Sequence, residues 1–291
     1  MKTKQDDQLW QAQNFFKNAE FVSSLLDKAD IGPQDTVVEI GPGKGIITRQ
    51  LAKKALRVVA VECDLKLAEN LKTSMADQTN VEIVKADFLD WNLPSYPYKV
   101  FANIPFNLTA DIVNKLLLSS SPPQDTYLIM QDKAAARFIG APVGQNSQVS
   151  VLLQPFYDMG IVAPIDRRQF EPVPSVNAVL TRFKKREKPL TDPRRLRQYR
   201  DLVIFGYNQW QPTVLDAFRK VFSGKQLSLI SRKYSLAGLK PSELTSEQWL
   251  AIFDSFLKYV PADKQALVWG AEKRLKTKQR KMQKWHRTRN R

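Results

Sequence analysis

The sequence has 291 residues, enough for one large domain and a smaller one, with 43% hydrophobic and 25% charged residues, as in ordinary globular proteins. The formal net charge of +16 indicates a polyanionic partner, most often nucleic acid. No apolar run is long enough to span a membrane, a single cysteine excludes an intramolecular disulfide, and one histidine with one cysteine excludes an ordinary zinc site.

The chain begins with a polar segment, Met1 to Gln13, which lacks the apolar core of a secretion signal. Together with the single Cys63 this predicts a cytoplasmic protein in a reducing compartment. The motif Gln13-Asn14-Phe15-Phe16 follows, and apolar residues then recur at helical spacing. They predict a helix over 20–28, with Asn18 as its cap.

The next element is a short β-branched strand, Thr36 to Ile40, followed at once by Gly41-Pro42-Gly43-Lys44-Gly45 and a predicted helix from Ile46 to Ala55. A strand, a glycine turn and a helix N-terminus form a dinucleotide-type cradle. Its G-x-G-x-G spacing follows an acidic residue, Glu39, and lacks the Gly-Lys-Ser/Thr of a P-loop. The pattern suits S-adenosylmethionine better than a pyrophosphate, although alone it is also compatible with a plain β–α turn.

Acidic residues end the next two predicted strands. Glu62 follows Arg57 to Val61 and is placed to accept hydrogen bonds from the ribose hydroxyls of an adenosine. Asp87 and Phe88 follow Val81 to Val84, so Asp87 is placed to bind an adenine amine and Phe88 to pack near the base. Asp87 alone would equally fit a turn cap, but the three signals in order predict a cofactor pocket.

The fourth predicted strand leads into Asn103-Ile104-Pro105-Phe106 and a helix from Leu108 to Leu118. In open α/β sheets ligands bind outside the carboxyl ends of the strands, where all four signals fall. The Asn103 side-chain oxygen and the Ile104 carbonyl are suited to accept hydrogen bonds from an adenine N6 amine and to restore its lone pair during attack on a methyl group. Phe106 is suited to stack on the base, and no metal or strong base is required.

The second half of the chain changes character after residue 183. A fifth strand, Tyr127 to Met130, and a strand from Ala178 to Phe183 complete the predicted sheet, and the proline-rich loop 170–176 lies between them. A basic connector then leads into helical periodicity up to Tyr259, in which Trp210 and Trp249 are predicted to be core residues. Residues 271–291 contain ten Lys/Arg and one Glu, which predicts a disordered arm that neutralises phosphates, against the simpler reading of a solvated end.

The predicted domains are therefore a Rossmann-like α/β catalytic domain over 1–183, a helical RNA-binding domain over 184–262 and a basic, disordered RNA-binding tail over 263–291. The sheet has the class I S-adenosylmethionine-dependent methyltransferase arrangement. The domain that follows it is smaller and helical.

Five motifs in order resemble the rRNA adenine N6-dimethyltransferase family: Gln13-Asn14-Phe15-Phe16, Glu39 to Gly45 with Glu62, Asp87, Asn103-Ile104-Pro105-Phe106, and Phe170-Glu171-Pro172-Val173-Pro174. The resemblance runs from about Gln11 to Leu257. It is stronger to the Erm methyltransferases of 23S rRNA, which confer macrolide–lincosamide–streptogramin B resistance, than to the KsgA group, which acts on small-subunit rRNA. Ile104 and Lys44 stand where the KsgA group usually has Leu.

The resemblance implies an S-adenosylmethionine-dependent enzyme acting on 23S rRNA as a monomer, without a metal or a membrane. The predicted catalytic residues are Asn103, Ile104, Pro105 and Phe106. The predicted cofactor-binding residues are Gln13, Asn14, Phe16, Gly41, Gly43, Glu62, Cys63, Asp87, Phe88 and Asn103. The predicted substrate-binding residues are Phe106 and Phe170, which would sandwich the target adenine, with Arg137, Arg167 and Arg168.

Three positions depart from the family pattern. Phe16 stands where Leu is usual, Phe106 where Tyr is common, and Ala178 where Ser is common. None removes a group that the chemistry requires, but they leave mono- or dimethylation open. A small-subunit methyltransferase and a non-catalytic RNA-binding relative remain alternatives, and the complete cofactor set argues against the second.

Overall fold

The computed structural model describes residues 14–279, which form two compact units. The first comprises residues 14–136 and 157–186, and the second comprises residues 137–156 and 187–279. Within the described residues, no helix is long and apolar enough to cross a membrane.

The first unit is built on a seven-stranded sheet in the order β4-β3-β2-β5-β6-β9-β7. The strands β2 to β6 are parallel to one another, and β9 is antiparallel to both β6 and β7. The strands are β2 Thr36–Ile40, β3 Arg57–Glu62, β4 Val81–Lys85, β5 Lys99–Asn103, β6 Asp125–Gln131, β7 Tyr157–Ile165 and β9 Ala178–Lys185. This is the α/β sheet that the sequence predicts.

Short helices connect the parallel strands. The connecting helices are α2 Ile46–Ala52, α3 Leu65–Ser74 and α4 Thr109–Leu117, whereas α1 Ala19–Leu26 precedes β2 and α5 Asp132–Ile139 follows β6. Asn18 caps α1 as predicted, since its side chain accepts hydrogen bonds from the backbone N–H groups of Glu20 and Phe21. The buried residues of β2, β3 and β5 are mostly Val, Ile and Ala, as expected for strands covered on both faces. Because these three strands are parallel, their carboxyl ends lie at one edge of the sheet.

A separate two-stranded sheet crosses that edge. Strand β1, Phe15–Phe16, pairs antiparallel with β8, Phe170–Glu171. The rings of Phe16 and Phe170 stack with centroids 4.5 Å apart. Both side chains belong to the hydrophobic core of the first unit, so the pairing fixes residues 14–17 against the loop that precedes β9.

The second unit is helical and packs around Trp249, which is fully buried, as the sequence predicts. The Tyr207 ring stacks on Trp249 with centroids 5.5 Å apart, and a Cβ at Gly206 would lie 2.7 Å from the indole. The helices are α6 Gln148–Leu153, α7 Leu196–Tyr207, α8 Val214–Ala217, α9 Gly224–Tyr234, α10 Ser246–Tyr259 and α11 Ala262–Gln265. Trp210, in contrast, is 90% exposed, so its assignment to the core was wrong.

The division of the chain differs from the expected one in two ways. Residues 137–156 belong to the helical unit, because they share its core through Val151 and Leu152. The predicted start of the disordered tail is also too early, because residues 271–279, which lie within that tail, form a helix. Asp201 on α7 accepts hydrogen bonds from the backbone N–H groups of Gly270 and Glu272, at 2.8 and 2.9 Å, and so fixes the start of that helix. The rest of the tail lies outside the described residues.

Candidate active site

The glycine turn after β2 is a left-handed turn that side chains would block. Gly41, Gly43 and Gly45 have φ angles of 63°, 55° and 77°, a region that residues with a Cβ avoid. A Cβ at Gly43 would lie 2.3 Å from the Phe15 ring, and one at Gly45 would lie 2.3 Å from Leu71. The turn therefore brings bare backbone to the carboxyl edge of the sheet.

Glu62 at the end of β3 is fully buried and holds this turn in place. Its Oε2 accepts a hydrogen bond from the Gly43 N–H at 3.0 Å, and its Oε1 accepts one from the Asp64 N–H at 3.0 Å. Each carboxylate oxygen has further acceptor capacity, which is what ribose hydroxyls would use. In this structure the Glu62 carboxylate orders the glycine turn, and its contact with ribose hydroxyls stays a prediction.

Glu39, on the neighbouring strand β2, is a buried carboxyl group whose role the sequence did not indicate. Burial raises the pKa of Glu39 to about 8, the Thr48 hydroxyl opposes this increase, and the Glu62 charge adds to it. Glu39 Oε2 and Thr48 Oγ1 have no hydrogen bond of good geometry among the described residues. Burial thus favours the protonated form of the Glu39 carboxyl group.

A small apolar cavity lies beside the turn. It is lined by Ile40, Gly41, Val61, Cys63, Ala86, Asp87, Phe88, Leu89, Pro105, Leu108 and Ile112. Asp87 lies at its exposed rim, and its Oδ1 accepts a hydrogen bond from the Leu89 N–H at 2.8 Å. Burial and the Glu62 charge raise the pKa of the Cys63 thiol far above its ordinary value, so Cys63 contributes a neutral wall and not a nucleophile.

Lys115 on α4 supports this wall, a role the sequence did not indicate. Its Nζ lies 5.3 Å from the centroid of the Phe88 ring and donates a hydrogen bond to the Leu89 carbonyl at 2.8 Å. Burial lowers the pKa of Lys115, while the charges of Asp90 and Asp87 oppose the decrease. The lysine thus fixes the turn that carries Asp87 and Phe88.

The motif Asn103-Ile104-Pro105-Phe106 lies at the end of β5 and lines a second small cavity together with Asn14, Phe15 and Gly41. The Asn103 Nδ2 donates a hydrogen bond to the Asn14 carbonyl at 2.7 Å. The amide is thereby oriented so that its Oδ1 remains an acceptor. Pro105 has no N–H, and its carbonyl accepts from the Leu108 N–H at 3.0 Å, which turns the chain into α4.

Phe106 completes this polar cavity. Its side chain is partly exposed, and its carbonyl accepts a hydrogen bond from the Thr109 hydroxyl at 3.0 Å. Gly41 and Pro105 line both cavities, so the two adjoin along the carboxyl edge of the sheet. The structure thus brings Asn14, Asn103 and Phe106 together beside the apolar cavity that holds Cys63 and Asp87.

Seven of the predicted site residues that the structure describes do not line these cavities: Phe16, Gly43, Glu62, Phe170, Arg137, Arg167 and Arg168. Phe170 is fully buried and stacked on Phe16, so neither ring face is open to a base and the expected sandwich with Phe106 is absent from this arrangement. Arg167 and Arg168 are exposed in the loop before β8, and Arg168 forms a bidentate ion pair with Asp166. Arg137 belongs to the second unit, and Gln13 lies outside the described residues.

The two cavities fit S-adenosylmethionine by the chemistry of their walls. The apolar cavity with Asp87 at its rim suits an adenine, and the glycine turn admits a ligand close to the backbone. Glu62 lies beneath that turn, but it is fully buried and lines neither cavity. The polar cavity, with Asn14 and Asn103, suits the amino-acid portion and the reacting methyl group. Among the described residues no cluster of His, Cys, Asp and Glu could hold a metal ion.

Residues 9–258 match the sequence profile of the ribosomal RNA adenine dimethylase family. An rRNA methyltransferase of Streptomyces thermotolerans is 33% identical over 243 residues, covering 83% of this chain and 81% of the relative. An rRNA adenine N-6-methyltransferase of Bacillus licheniformis is 29% identical (85% and 86%), and a ribosomal RNA small subunit methyltransferase A of Moorella thermoacetica is 31% identical (79% and 84%).

Among solved structures, the 23S rRNA methyltransferase ErmE superposes with a TM-score of 0.76 at 26% identity. The superposition covers 84% of this chain and 100% of that chain. The matched region includes both cavities and most of the second unit, whereas residues 259–291 lie beyond the family profile.

Proposed function

The chain belongs to the ribosomal RNA adenine dimethylase family and is an S-adenosylmethionine-dependent rRNA adenine N6-methyltransferase, and we propose that its substrate is an adenine of 23S rRNA. Methylation there would block macrolide, lincosamide and streptogramin B binding, so the biological role we propose is antibiotic resistance in the cytoplasm. The observation that carries the chemistry is the oriented Asn103 amide at the mouth of the cofactor cavity.

Bound S-adenosylmethionine supplies an electrophilic methyl group to this site. The protein holds the adenine amine that attacks this methyl group. Asn103 Oδ1 and the Ile104 carbonyl accept hydrogen bonds from the two N–H groups of the amine. These hydrogen bonds strengthen as the nitrogen becomes pyramidal, so they favour the transition state over the ground state. Phe106 stacks on the base and aligns the nitrogen with the methyl group. The proton is lost after transfer, and no side chain with a strong basic function is needed.

Lys44 supports the proposal that the substrate is 23S rRNA and not small-subunit rRNA. It is exposed in the glycine turn, and its Nζ lies 5.5 Å from the centroid of the Phe15 ring, which lines the polar cavity. A cation at this position can contact a phosphate next to the target adenine. The small-subunit group usually has an apolar Leu there. The likeness to ErmE over its full length supports the same choice.

The second unit supplies further cations for RNA. Residues 271–291 carry ten Lys/Arg and one Glu, which is more than half of the net charge of +16. Lys273 and Lys278 are exposed on the helix that Asp201 anchors, and Glu272 pairs with Arg200 at its start. We propose that this helix holds two cations in fixed positions against RNA phosphates, while the methylation site itself lies in the first unit.

The resistance role is tested by expressing the protein in a susceptible bacterium. The minimal inhibitory concentrations of a macrolide, a lincosamide and a streptogramin B should all increase, and that of an antibiotic that binds the small subunit should not. Expression of the Asn103→Ala protein at the same level is the control and should give no protection. Unchanged inhibitory concentrations with a well-expressed, active enzyme would favour a small-subunit substrate.

A further inference from the structure

Trp210 is the most exposed large apolar side chain of residues 14–279. It is 90% exposed, and Leu56 follows at 57%. It lies in the connection between α7 and α8, flanked by Gln209 and Gln211. A single exposed apolar side chain is common on protein surfaces, so Trp210 is informative through its exposure together with its backbone conformation.

The backbone at Trp210 is also strained. Its φ angle is 54°, in the left-handed region that glycine occupies freely and that bulky side chains avoid. Ser235 is the other non-glycine residue with positive φ among the described residues, and it ends helix α9, a common place for this conformation. Trp210 thus combines an unfavourable backbone with an unburied ring, which suggests selection for presenting that ring.

The support beneath Trp210 is rigid. The Asn208 Nδ2 donates to the Ile204 carbonyl at 2.7 Å and to the Gln148 Oε1 at 2.8 Å. The Gln209 Nε2 donates to the Phe205 carbonyl at 3.1 Å, so both side chains satisfy the end of α7. Because Tyr207 is stacked on the buried Trp249, the segment that carries Trp210 is attached directly to the core of the second unit.

Cations lie on the elements next to this connection. The Val214 N–H at the start of α8 donates to the Leu239 carbonyl at 2.9 Å, which places the turn containing exposed Lys240 beside it. Arg219 and Lys220 follow α8 and are exposed as well. Proteins stack on unpaired bases with exposed aromatic rings and hold the adjoining phosphates with cations, and this part of the second unit presents both kinds of side chain.

We propose that Trp210 is a stacking platform for an unpaired base of the ribosomal RNA substrate, separate from the base that enters the Phe106 cavity. The proposal rests on the proposed function only in taking rRNA as the substrate. A platform in the second unit would add affinity for the RNA fold around the target adenine and leave the transfer step unchanged.

The test compares Trp210→Gly, Trp210→Phe and Ser235→Gly in the full-length protein. Both glycine substitutions remove the steric strain of a side chain at a positive φ angle, so both should raise the melting temperature. Only Trp210→Gly should weaken binding to the rRNA that the enzyme methylates, by roughly 5- to 150-fold for the loss of one stacked base, with an unchanged salt slope. Trp210→Phe should keep most of the affinity, and wild-type fluorescence should be quenched by RNA more than that of Trp210→Phe.

Equal RNA affinity of Trp210→Gly and wild type would overturn the proposal. So would a concentration-dependent self-association of the wild type that is lost in Trp210→Gly while RNA binding is retained, because the ring would then serve a protein contact. Binding is measured with a 23S rRNA fragment and with 30S subunits. If the enzyme methylates 30S subunits, the 23S assignment fails, and a loss of affinity confined to that substrate still supports the platform.

Discussion

The side-chain amide of Asn103 is oriented by the main chain of Asn14, whose carbonyl accepts a 2.7 Å hydrogen bond from Nδ2. A primary amide can present either its oxygen or its nitrogen to a ligand, and this contact selects the oxygen. In the proposed mechanism, the backbone of the N-terminal segment directs the acceptor that receives the adenine amine.

Removal of that acceptor should abolish methyl transfer. Asn103→Ala is expected to lower the single-turnover rate by at least about 10²-fold, because a hydrogen bond strengthened in the transition state is lost. Binding of S-adenosylmethionine, measured by calorimetry, should be weakened but detectable. Transfer at nearly the wild-type rate would mean that the amine is not held by Asn103.

Phe170 and Phe106 should respond to substitution in different ways. Phe170→Ala removes a fully buried ring stacked on Phe16 and should lower the free energy of unfolding by about 3–5 kcal/mol. Phe106→Ala, at a partly exposed ring, should change stability much less and reduce kcat/KM. Denaturant titration and steady-state kinetics distinguish them. A stable Phe170→Ala protein with impaired RNA methylation would restore the base-sandwich role.

Glu39 should make stability depend on pH. Burial raises its folded-state pKa to about 8, above its unfolded value near 4.5, so the native state retains a proton that the unfolded state releases. The stabilisation is complete below about pH 4.5 and is lost as the pH rises through about 8. In Glu39→Gln, which mimics the protonated acid, this dependence disappears.

Denaturant titration of both proteins between pH 5 and 9 provides the measurement. The unfolding free energy of Glu39→Gln relative to wild type should increase by up to about 1.4 kcal/mol per pH unit below pH 8 and level off above it. A difference that stays constant with pH would show that Glu39 is ionised in the native protein.

Asp201→Asn tests the anchored helix. Simple electrostatics predicts tighter RNA binding when a negative charge is removed. An amide has one acceptor oxygen where the carboxylate has two, so the substitution removes one of the two hydrogen bonds from Gly270 and Glu272 and should loosen residues 271–279 and weaken binding. We expect weaker binding, together with faster amide hydrogen exchange at Gly270 and Glu272. Asp254→Asn, at an exposed position on α10, removes the same charge and should not weaken binding.

A second pair of variants tests the cations themselves. Lys273→Gln with Lys278→Gln should reduce the slope of log Kd against log salt by roughly 1.4–1.8, the value for two phosphate contacts. Lys53→Gln with Lys72→Gln is the matched control, since both lysines are exposed on the first unit at the sheet edge opposite the cavities. Equal slopes for the two double variants would contradict the phosphate contacts.

The sheet and its strand ends were predictable because their signals are local. The strand Thr36–Ile40 was confirmed with the predicted bounds, and Glu62 and Asn103 are the last residues of their strands. A short β-branched run followed by glycine or by an acidic residue needs no distant partner to be recognised. The cofactor cavity follows from strand order, since parallel strands bring their carboxyl ends to one edge.

Features that depend on distant residues were not predictable. The pairing of β1 with β8 buries Phe170 through contacts across more than half of the chain, and no spacing within the proline-rich loop indicates it. Trp210 lies three residues beyond the end of α7, so helical periodicity wrongly extended the core to it. Asp201 looks like an ordinary polar residue of α7 until residues 270–272 are placed against it.

The central claim is most directly tested by radiolabelled methyl transfer from S-adenosylmethionine to two substrates under identical conditions. Protein-free 23S rRNA should be labelled on a single adenine, and intact 30S subunits should not. Asn103→Ala should label neither. Labelling confined to 30S subunits would contradict the assignment to 23S rRNA, and no labelling of either substrate by the folded wild-type protein would contradict the account of the site itself.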